Sequence, residues 1–125
     1  MQYFFIKSKQ HESFEKVMIK DIVYIKSDGD YIEIHLNETR HVLYHTLTGM
    51  VEKLCEKTFY RCHDSYLVNI HRIINIEQGV IKFDSTLKTC RISSNRSNNR
   101  YGGSKLHELL KRLNYIQLDK RKLFK

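Results

Sequence analysis

The chain has 125 residues, with 22 Lys and Arg against 14 Asp and Glu, a formal charge of +8 with His neutral. That length suits one compact domain, and 41% hydrophobic residues with 8 Tyr and 6 Phe supply a core and exclude wholesale disorder. The longest apolar runs, such as Tyr3–Ile6 and Ile22–Ile25, are four residues, far short of the ~20 that a membrane span requires.

The charge is unevenly placed. Residues 1–86 hold 11 basic and 12 acidic residues, net −1, whereas residues 87–125 hold 11 basic residues and only Glu108 and Asp119 as acids, net +9. A concentration of this kind points to an anionic partner such as nucleic acid, with an incidental basic tail as the competing explanation. Cys55, Cys62 and Cys90 form no CxxC pair and leave an odd one over. Together with a start that lacks a secretory signal, this predicts reduced thiols and a cytoplasmic protein.

In chain order, Tyr3–Ser8 and Phe14–Ile19 read as strands around a polar turn, Lys9–Ser13. Ile22–Lys26 and Tyr31–Leu36 flank Ser27-Asp28-Gly29-Asp30, a turn with glycine where positive φ is expected. Ile32, Ile34 and Leu36 alternate with Glu33 and His35, the period of a half-buried strand. Arg40–His45 continues the meander. Leu47, Met50, Val51 and Leu54 then fall at helical spacing behind a Thr46 N-cap, as a core-packing stripe.

Strands resume at Phe59–His63, Tyr66–Ile70, Ile73–Ile76, Val80–Phe83 and Leu87–Ile92. Their close spacing favours an all-β arrangement over alternating β and α units. Ser93–Gly103 has almost nothing to bury and reads as an exposed loop. It leads to a second helix, Ser104–Asn114, whose Leu106, Leu109, Leu110 and Leu113 form an apolar face. The last residues, Lys120–Lys125, are mostly basic.

Catalytic readings fare poorly. His63, Asp64 and Ser65 are adjacent, but consecutive strand residues point to alternate faces, and triads are assembled from separate parts of a fold. His41 and His45 have no Cys or carboxylate at metal-ligand spacing, and no Walker A loop or GxGxxG is present. No enzymatic activity, cofactor or metal is expected. The polar stretch Ser93–Arg100 fits binding better: Arg and Asn pair in bidentate fashion with guanine and adenine, and Ser suits phosphate. A solvated loop of the same composition is the alternative.

Phe59-Tyr60-Arg61-Cys62-His63-Asp64-Ser65-Tyr66-Leu67-Val68-Asn69 resembles the hallmark of LytTR-type DNA-binding domains, roughly F-x-R-x-H-x-S-[YF]-[LIV]-[VI]-N. Asp21-Ile22-Val23-Tyr24-Ile25-Lys26-Ser27-Asp28-Gly29-Asp30-Tyr31 is similar to the family's upstream segment, and the helix Thr46–Leu54 lies where the family has its short helix. The resemblance covers roughly residues 14 to 95. It implies a mainly β fold, an elongated stack of small antiparallel sheets with one short inserted helix and a C-terminal helix. Residues 1–103 would form the LytTR-like domain, with residues 104–125 as an amphipathic helix and basic tail belonging to it.

The implied function is a sequence-specific, double-stranded DNA-binding transcriptional regulator, or the output domain of a two-component response regulator. Loops would enter successive DNA grooves, with direct repeats as the expected targets and a homodimer or tandem copies on the DNA. A receiver domain before residue 1 would make the chain a fragment. Carried over by position, one contact region is Lys26, Asp28, Asp30 and Tyr31, whose acids would accept from cytosine N4. A second is Arg61, His63 and Ser65, sharing parity along the strand and facing phosphates, with Asp64 at the adjoining turn. Tyr66, Leu67 and Val68 are expected in the core, and Asn69 to cap a turn.

The third contact region follows the last strand. There Arg91-Ile92-Ser93-Ser94-Asn95-Arg96 lacks the family's proline; Arg96 is the expected guanine reader and Asn95 the second choice, with Ser94 and Arg100 beside them. Cys62 and Cys90 end neighbouring strands, so an oxidative link stands against the simpler reading of two buried reduced thiols. The competing function is a protein-interaction module using a β edge or the leucine-striped helix. RNA binding has less support, since no strand carries an RRM-like aromatic pair.

Overall fold

The structure, a computed structural model, describes residues 1–7, 12–93 and 103–118. Its strands in chain order are β1 (Tyr3–Lys7), β2 (Phe14–Met18), β3 (Tyr24–Asp28), β4 (Tyr31–His35) and β5 (Arg40–Tyr44), then β6 (Phe59–His63), β7 (Tyr66–Asn69), β8 (Ile73–Glu77), β9 (Val80–Phe83) and β10 (Thr89–Arg91). Helix α1 (Leu47–Lys53) separates β5 from β6, and α2 (Gly103–Arg112) follows β10. All pairings are antiparallel: a β1–β2 hairpin, a five-stranded sheet ordered β5-β4-β3-β7-β6, and a three-stranded sheet ordered β10-β9-β8. The fold is mainly β, as expected.

Local chemistry explains the joints. Gly29 takes φ +61° in the β3–β4 turn, a conformation that costs glycine nothing. Gln78 and Gly79 both take positive φ, 51° and 75°, between the paired Glu77 and Val80, the backbone of a two-residue type I′ hairpin turn. Thr46 caps α1 through its hydroxyl, which accepts from the Gly49 amide at 2.9 Å. Two short 3-10 turns, Ile19–Asp21 and Ile70–Arg72, were not expected from the sequence pattern.

The five-stranded sheet is covered on both faces. Ile25, Ile32, Ile34, Phe59 and Leu67 pack with Val17 of β2 and with Leu47, Met50 and Leu54 at α1. Tyr24, Tyr60, Cys62 and Val68 pack with Ile81, Phe83, Cys90 and Ile92 around the three-stranded sheet, and with Leu109 of α2. Each fully buried Ile or Leu contributes about 1.5–3 kcal/mol of transfer free energy. The leucine stripe of α2 is thus spent on the chain's own core: Leu109 is fully buried, with Leu106 and Leu113 packed beside it. Val51 departs from the expected α1 stripe and is exposed.

β4 also differs from the half-buried strand that its alternation predicts. Glu33 and His35 are buried along with Ile32 and Ile34. A polar pair can occupy a covered face because it satisfies itself: His35 Nε2 lies 2.8 Å from Glu33 Oε1, and Arg40 Nη1 donates to the same oxygen at 3.2 Å. The last strand starts later than expected, at Thr89, leaving Leu87 wholly exposed.

Candidate nucleic-acid interface

Two turns meet at one end of the five-stranded sheet. β3 lies between β4 and β7, so the β3–β4 turn and the β6–β7 turn are neighbours: Lys26 pairs with Tyr66 in register, and the Ser27 amide donates to the Ser65 carbonyl at 2.9 Å. A third segment starts beside them. The Ser93 amide donates to the Cys62 carbonyl at 2.8 Å, which launches the chain beyond Ser93 from next to β6. The predicted readers Ser94, Asn95, Arg96 and Arg100 lie outside the described residues.

Asp28, Asp30, Tyr31 and Asp64 are exposed at the turns, while Lys26, His63 and Ser65 are half-buried. Asp28 and Tyr31 close the β3–β4 turn as a register pair, and Tyr31 continues across to Tyr44 of β5, ring centroids 5.7 Å apart and edge-on. Lys26 stands two residues before Asp28, near enough to help hold Glu33 ionised. Carboxylates dominate this tip, so it presents mainly hydrogen-bond acceptors.

The common face expected for Arg61, His63 and Ser65 is not kept. The β6–β7 register shifts between Tyr60 and His63, and an irregularity of this kind re-aims the side chains around it. Arg61 turns to α1, where Nη1 donates to Thr48 Oγ1 at 3.0 Å, while Nη2 donates to the Asp64 carbonyl at 2.8 Å. His63 lies by the Tyr66 ring and accepts from the Ser65 amide at Nδ1, 3.0 Å. Its proton in the neutral form is therefore on Nε2, available to a partner as a donor.

Asn69 takes the expected structural role. Its Nδ2 donates to the Ile22 carbonyl at 2.8 Å and its Oδ1 accepts from the His71 amide at 3.0 Å, capping the second 3-10 turn. Leu67 and Val68 are buried, and Tyr66 packs against the core. Cys62 and Cys90 are free and buried, whereas Cys55 is exposed. Burial pushes the Cys62 thiol up to about 12 and raises that of Cys90 as well. Both are therefore protonated and poorly nucleophilic in this state.

Among the described basic residues of the last third, several have internal partners. Lys88 Nζ reaches His35 Nδ1 at 3.3 Å, Lys105 Nζ donates to the Arg61 carbonyl at 3.4 Å, and Arg112 donates to the Glu56 carbonyl with its guanidinium over the Tyr60 ring. Arg72, which sequence reasoning did not single out, reaches three other segments by its side chain: Lys20, Asn37, and the adjacent Asp84 and Ser85 all accept from it. No regular period marks such a residue.

Comparison with known proteins agrees with this geometry. The profile of the LytTr DNA-binding domain family matches residues 12–99. The chain belongs to that family. A solved structure described as the LytTr DNA-binding domain of a methyl-accepting/DNA response regulator from Bacillus cereus superposes with a TM-score of 0.70 at 16% identity, covering 92% of this chain and 99% of that one. No curated protein matches. The family is a DNA-binding one rather than a catalytic one, and among the described residues no helix is long and apolar enough to cross a membrane.

Proposed function

We propose that the chain is a sequence-specific regulator of transcription, standing alone or as the output domain of a response regulator, that reads double-stranded DNA in the cytoplasm without chemistry of its own. The observation that supports this most is the meeting of the β3–β4 turn, the β6–β7 turn and the departure of Ser93 at one end of the five-stranded sheet, tied by the Ser27–Ser65 and Ser93–Cys62 backbone bonds. Asp28, Asp30, Tyr31, His63, Asp64 and Ser65 would face the duplex there, with Lys26 behind them. Ser94, Asn95, Arg96 and Arg100 would add the basic reading segment, Arg96 paired with guanine.

Direct repeats occupied by tandem copies or a dimer are the expected targets. The protein-interaction reading loses much of one of its surfaces, because Leu106, Leu109 and Leu113 pack into the chain's own core. Selection from random duplex DNA tests the proposal: a short repeated motif should be enriched, with affinity falling steeply in salt as phosphate-bound counterions are released. Absence of enrichment at low salt would reject it. Arg96→Ala should cost about 1–3 kcal/mol and relax preference at one base pair.

A further inference from the structure

We infer that Arg61 is a positioning residue that sets the β6–β7 turn against α1, and so fixes the placement of Asp64 and Ser65, rather than a phosphate contact. The inference rests on the DNA-binding reading above. Its ground is the guanidinium itself. Nη1 is bound to Thr48 Oγ1 and Nη2 to the Asp64 carbonyl, and Nε is buried with no hydrogen-bond partner among the described residues. A side chain that swung out toward a phosphate would give up both bonds; held in place, its guanidinium has two of its five N–H donors committed to the chain's own acceptors.

The two acceptors explain what the arginine does. Thr48 is the second residue of α1, a helix anchored by buried Leu47 and Met50, so it provides a fixed post. The Asp64 carbonyl belongs to the turn itself. A planar fork spanning the two acts as a strut between a rigid helix and a turn. Lysine, a point charge without the fork, cannot hold both partners in this geometry. The backbone around Arg61 carries the neighbouring elements: its own carbonyl accepts from Lys105 of α2, and the next carbonyl, of Cys62, accepts from Ser93. Arg61 therefore sits where the turn, α1, α2 and the departing basic segment are referenced to one another.

The experiment uses the whole chain and the duplex obtained by selection, beside an unrelated duplex of equal length, each titrated over a range of salt. Arg61→Lys keeps the charge and should weaken binding to the selected duplex about tenfold, the loss expected from one charge-assisted hydrogen bond. Affinity for the unrelated duplex and the slope of log K against log salt should stay at wild-type values. Thr48→Val, on the exposed side of the strut, should move the selected affinity in the same direction with an unchanged Tm, and Thr48→Ser, which restores the hydroxyl, should restore binding. The proposal is overturned if Arg61→Lys binds as wild type, if Thr48→Val has no effect, or if both duplexes weaken in parallel. Failure of the wild-type chain to select any duplex overturns the DNA reading and this inference together, and is seen before a variant is made.

Discussion

The ring of His35 lies stacked on the ring of Tyr24, centroids 4.4 Å apart and planes 14° from parallel, in the layer between the two larger sheets. Tyr24 stacks in turn against Phe83 of β9. Burial lowers the His35 pKa below its usual 6.5, against the opposing pull of Glu33, with Lys88 nearby adding to the lowering. His35 is thus neutral, donating from Nε2 to a Glu33 carboxylate that this hydrogen bond holds below 4.5.

Both groups bind fewer protons folded than unfolded, so stability rises with pH wherever they titrate. The contribution is complete above about pH 6.5 and is lost on acidification, first through His35 and then through Glu33. Tm should therefore fall between pH 7 and pH 5, and His35→Phe, which keeps an aromatic ring on Tyr24, should flatten that part of the profile. Parallel profiles for the two proteins would remove His35 as the cause.

Asn69 shows the cost of a buried amide. It is fully enclosed, and it satisfies the Ile22 carbonyl and the His71 amide together. Asn69→Ala leaves both backbone groups without that partner and should destabilise the fold by about 3 kcal/mol, from ~1–3 kcal/mol for each orphaned group. Urea unfolding should show a lower midpoint at unchanged slope.

Arg72 should matter for stability without touching DNA. Its Nε donates to both oxygens of Asp84 at 2.9 and 3.1 Å, Nη1 to the Lys20 carbonyl at 3.1 Å, and Nη2 to Asn37 Oδ1 at 2.6 Å and to Ser85. Although burial acts to raise the Asp84 pKa, the hydrogen bonds from Arg72 and Ser85 outweigh it and leave a net lowering. Arg72→Ala should cost about 2 kcal/mol, in the range for hydrogen bonds to charged groups. Arg72→Lys should recover little of it, by the same unfolding measurement.

Strand positions, both helices, the Thr46 cap and the glycine turn at Gly29 were legible because each depends on local periodicity or backbone freedom. Asn69 was legible through its place in the hallmark. The burial of Glu33 and His35 was not, because period-two alternation reports one face of a strand and says nothing of a second layer laid over the other. The parity of Arg61, His63 and Ser65 failed for a related reason: a register shift leaves no mark in residue types. Arg72 was missed because its partners are 12 to 52 residues away in sequence.

The thiols should sort by burial. Of three cysteines, only Cys55 is exposed, while Cys62 and Cys90 are enclosed and held protonated. A thiol-reactive chromogen at pH 8 should titrate one group rapidly in the native chain and three after denaturation, and Cys55→Ser should abolish the fast phase. Rapid modification of Cys62 in the native chain would show that the core around β6 opens far more readily than its packing indicates.

Asp28 tests whether the acidic tip reads bases or merely tolerates DNA. It is exposed beside Gly29, paired across the turn with Tyr31. As an ionised carboxylate it can only accept hydrogen bonds, which suits cytosine N4, and its charge repels every phosphate alike. Asp28→Asn removes the repulsion and adds a donor. Affinity for unrelated duplexes should therefore rise severalfold, while discrimination at one base pair of the selected motif falls by about 1–3 kcal/mol. A uniform gain across all sequences, with discrimination intact, would make the β3–β4 turn a neighbour of the DNA rather than a reader of it.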